Sequence, residues 1–404
     1  MRISTSQIFQ SGVDQLGTLQ GNLAKTQMQL STNRRILTAA DDPIASARAV
    51  EVTQSQSVNT QYATNRANAR ASLSQVEGAL QGTTLLLQDV QTMVVAAGNG
   101  ALSQSDRNAM ATELSGRLED LIGLANSNDG NGGYLFAGFK SSTPPFTQSA
   151  TGAAYNGDQG ARQLQVGSAR QIAISDSGSS IFENIPTGNG RFVTAAAPAN
   201  TGTGVASSGA VINAGAVTGN GYAISFSAGG TAFSVIDQST GLAPAGMSGP
   251  QPYKSGQQIT FDGLSIDIKG APADSDTFSV TPSEKQSVFQ TLADMINVLR
   301  APGSGAAANA ALTNGLGKAQ ENLGAALDNV LGVRASVGAR MKELDTLDGA
   351  GEDLNIQYAA TLSNLQDLDM VATISQFTQQ QFALEAAQKS FKSMSSLSLF
   401  NYIG

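Results

Sequence analysis

The chain contains no cysteine and no histidine. Without cysteine there is no disulfide and no thiolate nucleophile; without histidine the usual general base is missing, and the loss of both removes the commonest zinc ligands. Serine and threonine are plentiful, but a hydroxyl nucleophile would need a lysine or an N-terminal amine as its base, and no surrounding motif supplies one. Charge is also scarce. Charged residues make up 13% of the chain, about half the roughly 25% of an ordinary soluble domain. The balance is acidic, with a formal net charge of -8, and no lysine or arginine run interrupts it. A surface of that kind cannot displace counterions from phosphates, which excludes a general nucleic-acid binder. Nowhere do the roughly 18 consecutive apolar residues of a membrane span occur, so no membrane insertion is expected. The opening Met1-Arg-Ile-Ser-Thr-Ser-Gln lacks the apolar core of a secretory signal. The chain is therefore expected to be cytoplasmic or exported by another route.

What remains is ample for a folded protein. Apolar residues form 41% of 404, enough for two or three domains of roughly 150 residues each. The surface must be made largely of Ser, Thr, Asn, Gln and Gly, whose neutral hydrogen bonds suit faces that touch neighbours. The two ends carry matching stripes. Near the start, Phe9, Leu16, Leu23 and Leu30 repeat every seven residues with Val13 beside them, which predicts a helix over 4–33. At the other end Ile374, Phe377, Leu384, Phe391 and Met394 fall on one side of a helix over 370–404. The opposite side of that helix carries only Glu385, Lys389 and Lys392 as charges, so it suits contact on several sides.

Asp42 and Pro43 restart the helical pattern after a break at 33–40. A carboxylate at the N-cap accepts from an exposed helix N–H, and proline at the first helical position has its φ already set. From 43 to 97 Leu73, Leu80, Leu87 and Val94 step by sevens, with Tyr62, Ala69, Val76 and Val90 on the same seam. At 1.5 Å per residue such a helix spans ~80 Å and needs a partner of similar length. Leu316, Leu323, Val330, Val337, Leu344, Tyr358 and Leu365 hold one register in the C-terminal half, broken only at Gly351. Between these blocks, 132–282 is rich in Gly, Ser and Thr with short alternating strands. Asp262-Gly263 between Ile259–Phe261 and Leu264–Ile268 reads as a type I′ hairpin. Ser283 with Gln286 reads as a capping box for a helix through Val288, Leu292, Ile296 and Leu299.

The fold class expected is mainly α with a β-rich insert, a long antiparallel helical rod formed by the two halves of the chain. Three regions follow: 1–42 with 370–404, 43–186 with 283–369, and an inserted 187–282. Candidate sites for small ligands are weak. Gly188 and Gly190 are followed by Val193 where a dinucleotide loop needs glycine, which reads as a turn. Asn128-Asp129-Gly130-Asn131 and Asp274-Ser275-Asp276 lack the spaced ligand set of a calcium loop. No catalytic, cofactor-binding or metal residue is assigned, no cofactor is called for, and Arg334 is expected to lay its stem along the helical seam.

Leu30-Ser-Thr-Asn-Arg-Arg-Ile, Ala40-Asp-Asp-Pro-Ile-Ala-Ser-Ala and the Gln-rich C-terminal helix resemble the flagellin superfamily. Phe136-Ala-Gly-Phe-Lys-Ser-Ser-Thr-Pro-Pro-Phe146, Tyr155-Asn-Gly-Asp-Gln-Gly-Ala-Arg162 and the closing Leu397-Ser-Leu-Phe-Asn-Tyr-Ile resemble its hook-associated branch. The likeness covers roughly 1–186 and 283–404. It implies that the terminal helices pair as a coiled coil lining the inner tube of an axial polymer, with the stripes of Phe9 to Leu30 and Ile374 to Met394 as polymer interface. It further implies an outward β domain and export unfolded through a type III apparatus. The partners implied are hook-associated protein 1, flagellin, lateral copies of the chain itself and an export chaperone. Flagellin, the bulk filament subunit, is the nearest alternative. A trimeric coiled-coil adhesin or fibre is more remote, because a fibre presents its heptads once whereas this chain pairs an early helix with a late one.

Overall fold

The computed structural model describes residues 5–396; the closing Leu397–Ile403 motif lies outside them. Helices α1 (Thr5–Thr32), α2 (Pro43–Ala97) and α3 (Gln104–Ala125) come first. Two hairpins follow, β1 (Phe146–Ser149) with β2 (Gly152–Tyr155) and β3 (Gln163–Gly167) with β4 (Arg170–Ala173). The one-turn α4 (Gly178–Phe182) and β5 (Ile185–Pro186) lead to a block of strands: β6 (Phe192–Ala196), β7 (Val205–Ala206), β8 (Ala210–Val211), β9 (Tyr222–Ser227), β10 (Ala232–Asp237), β11 (Gln251–Pro252), β12 (Gln258–Phe261), β13 (Leu264–Lys269) and β14 (Thr277–Pro282). Strand β15 (Lys285–Gln286) returns to pair with β5, and α5 (Val288–Arg300), α6 (Ala306–Gln366) and α7 (Met370–Ser396) complete the chain. Two compact units are present, one of 1–64 with 346–404 and one of 65–345.

In the 65–345 unit the heptads of α2 and α6 are the core. Leu73, Leu80 and Leu87 on α2 and Leu323, Val337 and Leu344 on α6 have no exposed surface. Ion pairs fix the antiparallel sense: Arg70 meets Asp345 at 2.7 Å, and the Arg334 Nε donates to Glu77 Oε1 at 3.0 Å. Arg334 thus takes the neighbouring carboxylate that its place in an apolar stretch requires. Helix α3 is capped by Ser103, whose hydroxyl accepts from the Asp106 N–H while Asp106 accepts from the Ser103 N–H. It packs through Leu114, Leu118 and Leu121 beside the buried face of α5.

The cap of α5 differs from the sequence expectation. Ser287 is the N-cap, accepting from the Gln290 N–H at 3.0 Å. Ser283 is instead committed to the base of the insert, donating to the Thr187 carbonyl at 2.7 Å, and Gln286 lies in β15. Two serines four residues apart offer the same chemistry, and pairing of β5 with β15 decides between them. The Thr187 N–H donates to the Glu284 carbonyl and the Glu284 N–H to the Thr187 hydroxyl, so the two segments entering and leaving the insert are tied together.

The insert is built from a five-stranded sheet, β11-β10-β9-β14-β6, and a second sheet of β12 and β13 edged by β7 and β8. Alternate residues of β9, β10, β13 and β14 close on one core of Tyr222, Ile224, Phe233, Val235, Ile266, Ile268, Phe278 and Val280. The β12–β13 turn has Asp262 at φ 43° and Gly263 at φ 77°, both left-handed as a type I′ turn requires. Helix α6 grips the insert by its backbone. Asn314 accepts from the Ala206 N–H and donates to the Gly204 carbonyl, and two turns on Asn322 accepts from the Gly188 N–H.

In the other unit α2 meets the heptad break at Gly351 with a polar side chain. Asn59 of α2, 6% exposed, donates to the Gly351 carbonyl at 2.8 Å and to the Asn355 Oδ1 at 2.9 Å. Asn59→Ala removes two enclosed side-chain hydrogen bonds between α2 and α6, and is expected to cost about 1–3 kcal/mol. Urea unfolding followed by hydrogen exchange at 50–64 measures it; unchanged stability would contradict this role.

Candidate functional site

Within the 1–64 and 346–404 unit, α1 and α7 run antiparallel. Phe9 lies against Phe391 with ring centroids 4.9 Å apart, and Thr26, fully enclosed, donates to the Gln380 Oε1 at 2.9 Å. Gly12 makes room for the first contact, since a Cβ there would sit 2.8 Å from the Phe391 ring. Of the residues the sequence singles out, Leu16, Leu23, Leu30, Phe377, Leu384 and Phe391 are half-buried. Phe9, Val13, Ile374 and Met394 keep 41–52% of their surface exposed. Ile8, Met28, Val371 and Phe382, the last 68% exposed, add to the uncovered apolar surface. Two helices bury only one side of each other, and what stays open mixes these apolar side chains with Ser, Thr, Gln and a few charges. Large apolar side chains left exposed along one helix pair suit contact with other protein.

The helix pair is joined to α2 and α6 by two short linkers that bond each other. Arg35 makes two of these bonds: its N–H donates to the Gln366 carbonyl and its guanidinium to the Leu365 carbonyl, both at 2.7 Å. Arg34 and Asp367 form an isolated β-bridge, and Gln29 donates to the Arg35 carbonyl at 2.7 Å. Asp42 accepts from the Ala45 N–H at 3.0 Å as the cap of α2, with Pro43 exposed as its first residue. Asp369 caps α7 in the same way through Ala372.

Asp41 is the electrostatic knot of the first linker. Lys25 lies 2.6 Å from its carboxylate, and the N–H groups of Thr38 and Leu37 donate to it. Hydrogen bonding from Lys25 first, then from the Thr38 backbone, lowers its pKa from 3.8 to about 2. A depressed carboxylate stabilises the fold above its unfolded pKa and ceases to do so as pH falls through the folded value. The linker is therefore expected to hold at neutral pH and to loosen from about pH 4 down to about 2. Carboxyl chemical shifts of Asp41 with amide exchange at Leu37 and Thr38 would follow this, and Asp41→Asn should remove the transition. A linker midpoint near 4 would contradict it.

Sequence periodicity found the stripes but not this joint, whose polar partners come from segments over 300 residues apart. Among the described residues no group of three acidic side chains is placed to hold a metal ion, and no helix is long and apolar enough to cross a membrane.

Antiparallel terminal helices with an open apolar face, joined through bonded linkers to a long helix pair carrying a β insert, define the class of flagellin-like axial proteins. Residues 3–141 match the bacterial flagellin N-terminal helical region. The chain is 32% identical to the flagellar hook-associated protein 3 of Salmonella typhimurium over 401 residues, 99% of each chain. It is similar to the crystal structure of the flagellar junction protein FlgL from Legionella pneumophila, with 31% identity and a TM-score of 0.71, covering 79% of this chain and 100% of that one. Flagellin of Serratia marcescens matches over 131 residues, 32% of this chain and 37% of that protein, at 31% identity. The chain belongs to the flagellar hook-associated protein 3 family.

Proposed function

We propose that the chain is the adaptor subunit of the hook-filament junction, standing between hook-associated protein 1 and the flagellin filament and touching lateral copies of itself. The observation that carries this reading is the extent of likeness: it runs the full length of hook-associated protein 3 but stops near the first third of this chain with flagellin. The role is structural rather than enzymatic, and the chain works outside the cell, accompanied before export by an export chaperone.

In this reading the region 1–42 with 370–404 forms the polymer core, 43–186 with 283–369 the next shell, and 187–282 the outer face. Phe9, Val13, Leu16, Leu23, Leu30, Ile374, Phe377, Leu384, Phe391 and Met394 make the polymer interface. An isolated pair of helices buries too little to be strongly ordered alone. The terminal pair therefore gains its stable order as neighbours arrive, which holds back premature association in the cell. Fast amide exchange at Thr5–Thr32 and Met370–Ser396 in the monomer supports this; strong protection in both speaks against it.

Seeded assembly separates the junction from the filament reading. Purified chain added to filament or hook ends should add a limited layer and stop. Growth into long filaments would identify a flagellin and overturn the proposal.

A further inference from the structure

The motifs 136–146 and 155–162 interlock in a way that the terminal helices do not explain. Asp158 accepts from the N–H groups of Phe139 (3.0 Å), Lys140 (3.1 Å) and Gly160 (2.7 Å), and its own N–H donates to the Ala137 carbonyl. Tyr155 closes the same loop from below, donating toward the carbonyls of Phe136 and Asp158 at 3.0 and 2.7 Å. Gly138 has φ +69°, and a Cβ at Gly160 would strike the Phe139 ring. The outcome of this bracing is an aromatic ring left 68% exposed on an immobilised loop, with exposed Lys140 next to it. Rigid, preformed aromatic knobs are what interface hot spots are made of.

Such a knob needs a recess, and charge separates two of those in the same unit. A cleft of about 400 Å³ beside the start of α6 is lined by Ala197, Ala308 and Asn314, but also by Arg107 and Lys318, which repel Lys140. An open depression of about 530 Å³ between α2 and α3 is lined by Gly82, Leu85, Asp89, Thr92, Arg117 and Leu124. Leu85 on its rim is 60% exposed, and Gly82 opens its floor above Leu124. Arg117 lies 2.7 Å from Asp89 and 3.9 Å from Asp120, so two carboxylates face one guanidinium and a negative charge remains for Lys140.

We propose that Phe139 of one copy seats in the Gly82–Leu85–Leu124 depression of a second copy, with Lys140 against Asp89 and Asp120. Knob and recess lie on different parts of the chain, so the contact is heterologous, and repeated head to tail it generates a ring or a helical array. The inference rests on the reading that the chain assembles in the flagellum, and narrows the lateral partner to the chain itself.

A benzophenone analogue of phenylalanine at 139, or at 85, tests it. Each probe-bearing chain is co-expressed with unmodified chain, flagella are isolated and irradiated, and adducts are identified by mass spectrometry. Probe at 139 should join a peptide from 82–124 of a second copy, and probe at 85 a peptide containing 139. Lys140→Glu in the probe-bearing chain should lower adduct yield severalfold, with Asp89→Lys in the co-expressed second chain restoring it. Adducts to flagellin or another protein, adducts within one chain, or none in flagella that contain the chain would overturn the contact. Unmodified chain missing from isolated flagella would instead overturn the junction reading.

Discussion

Leu384→Asp should leave the protein folded and keep it out of the flagellum. Leu384 is half-buried on α7, at the spacing that places it on the side of Phe377 and Phe391, and its side chain belongs to the helix pair rather than to the 65–345 unit. The heptad core of that unit, from Leu73 to Leu87 and Leu323 to Leu344, is untouched, so its thermal transition should not move. Assembly is another matter. A carboxylate placed on an apolar contact surface is desolvated without a partner, at a cost of several kcal/mol when enclosed. In every subunit of a layer that cost recurs, and incorporation should fall at least about a hundredfold, because every ~1.4 kcal/mol is tenfold. Phe391→Asp should do the same, as it also removes the contact with Phe9. Motility and immunoblots of isolated flagella read the result; normal incorporation of either variant would remove the terminal stripe from the interface.

Phe289→Ala should act in the opposite way, through stability rather than assembly. Phe289 has no exposed surface and sits 4.9 Å from the Phe146 ring and 5.7 Å from Phe182, which in turn meets Phe136 edge-on at 5.6 Å. The cluster ties α5 to β1, α4 and the loop that carries Phe139. Gly152 of β2, at φ +107°, lies so close that a Cβ would come within 2.6 Å of the Phe289 backbone, so the surroundings have little freedom to collapse into a void. Removing the ring loses its transfer energy and leaves a cavity, a loss of ~3–5 kcal/mol. Urea unfolding of the monomer measures it, and a loss under about 1 kcal/mol would show that the cluster repacks.

The two variants also mark what the sequence makes legible. The seven-residue steps of Leu73 to Val94 and Leu316 to Leu344 announce long paired helices because a buried seam needs an apolar residue at every repeat. Asp262-Gly263 announces its turn because few dipeptides tolerate two left-handed residues. Periodicity does not reveal which polar groups meet across the chain. Asn59 with Gly351, Arg35 with Gln366, and Asn314 with the insert backbone are all encounters between distant segments. Ser283 and Ser287 show the same limit locally, since only the β5–β15 pairing assigns one to the stem and the other to the cap. Phe139 is similar: a sequence cannot say that a phenylalanine is held outward until the Asp158 clamp is seen.

The most direct measurement is electron microscopy of isolated hook-filament assemblies in which the chain carries an epitope in the exposed 239–243 turn of the insert. The junction reading predicts label in a single narrow band where hook meets filament. Label along the length of the filament, or none at the junction, would contradict it.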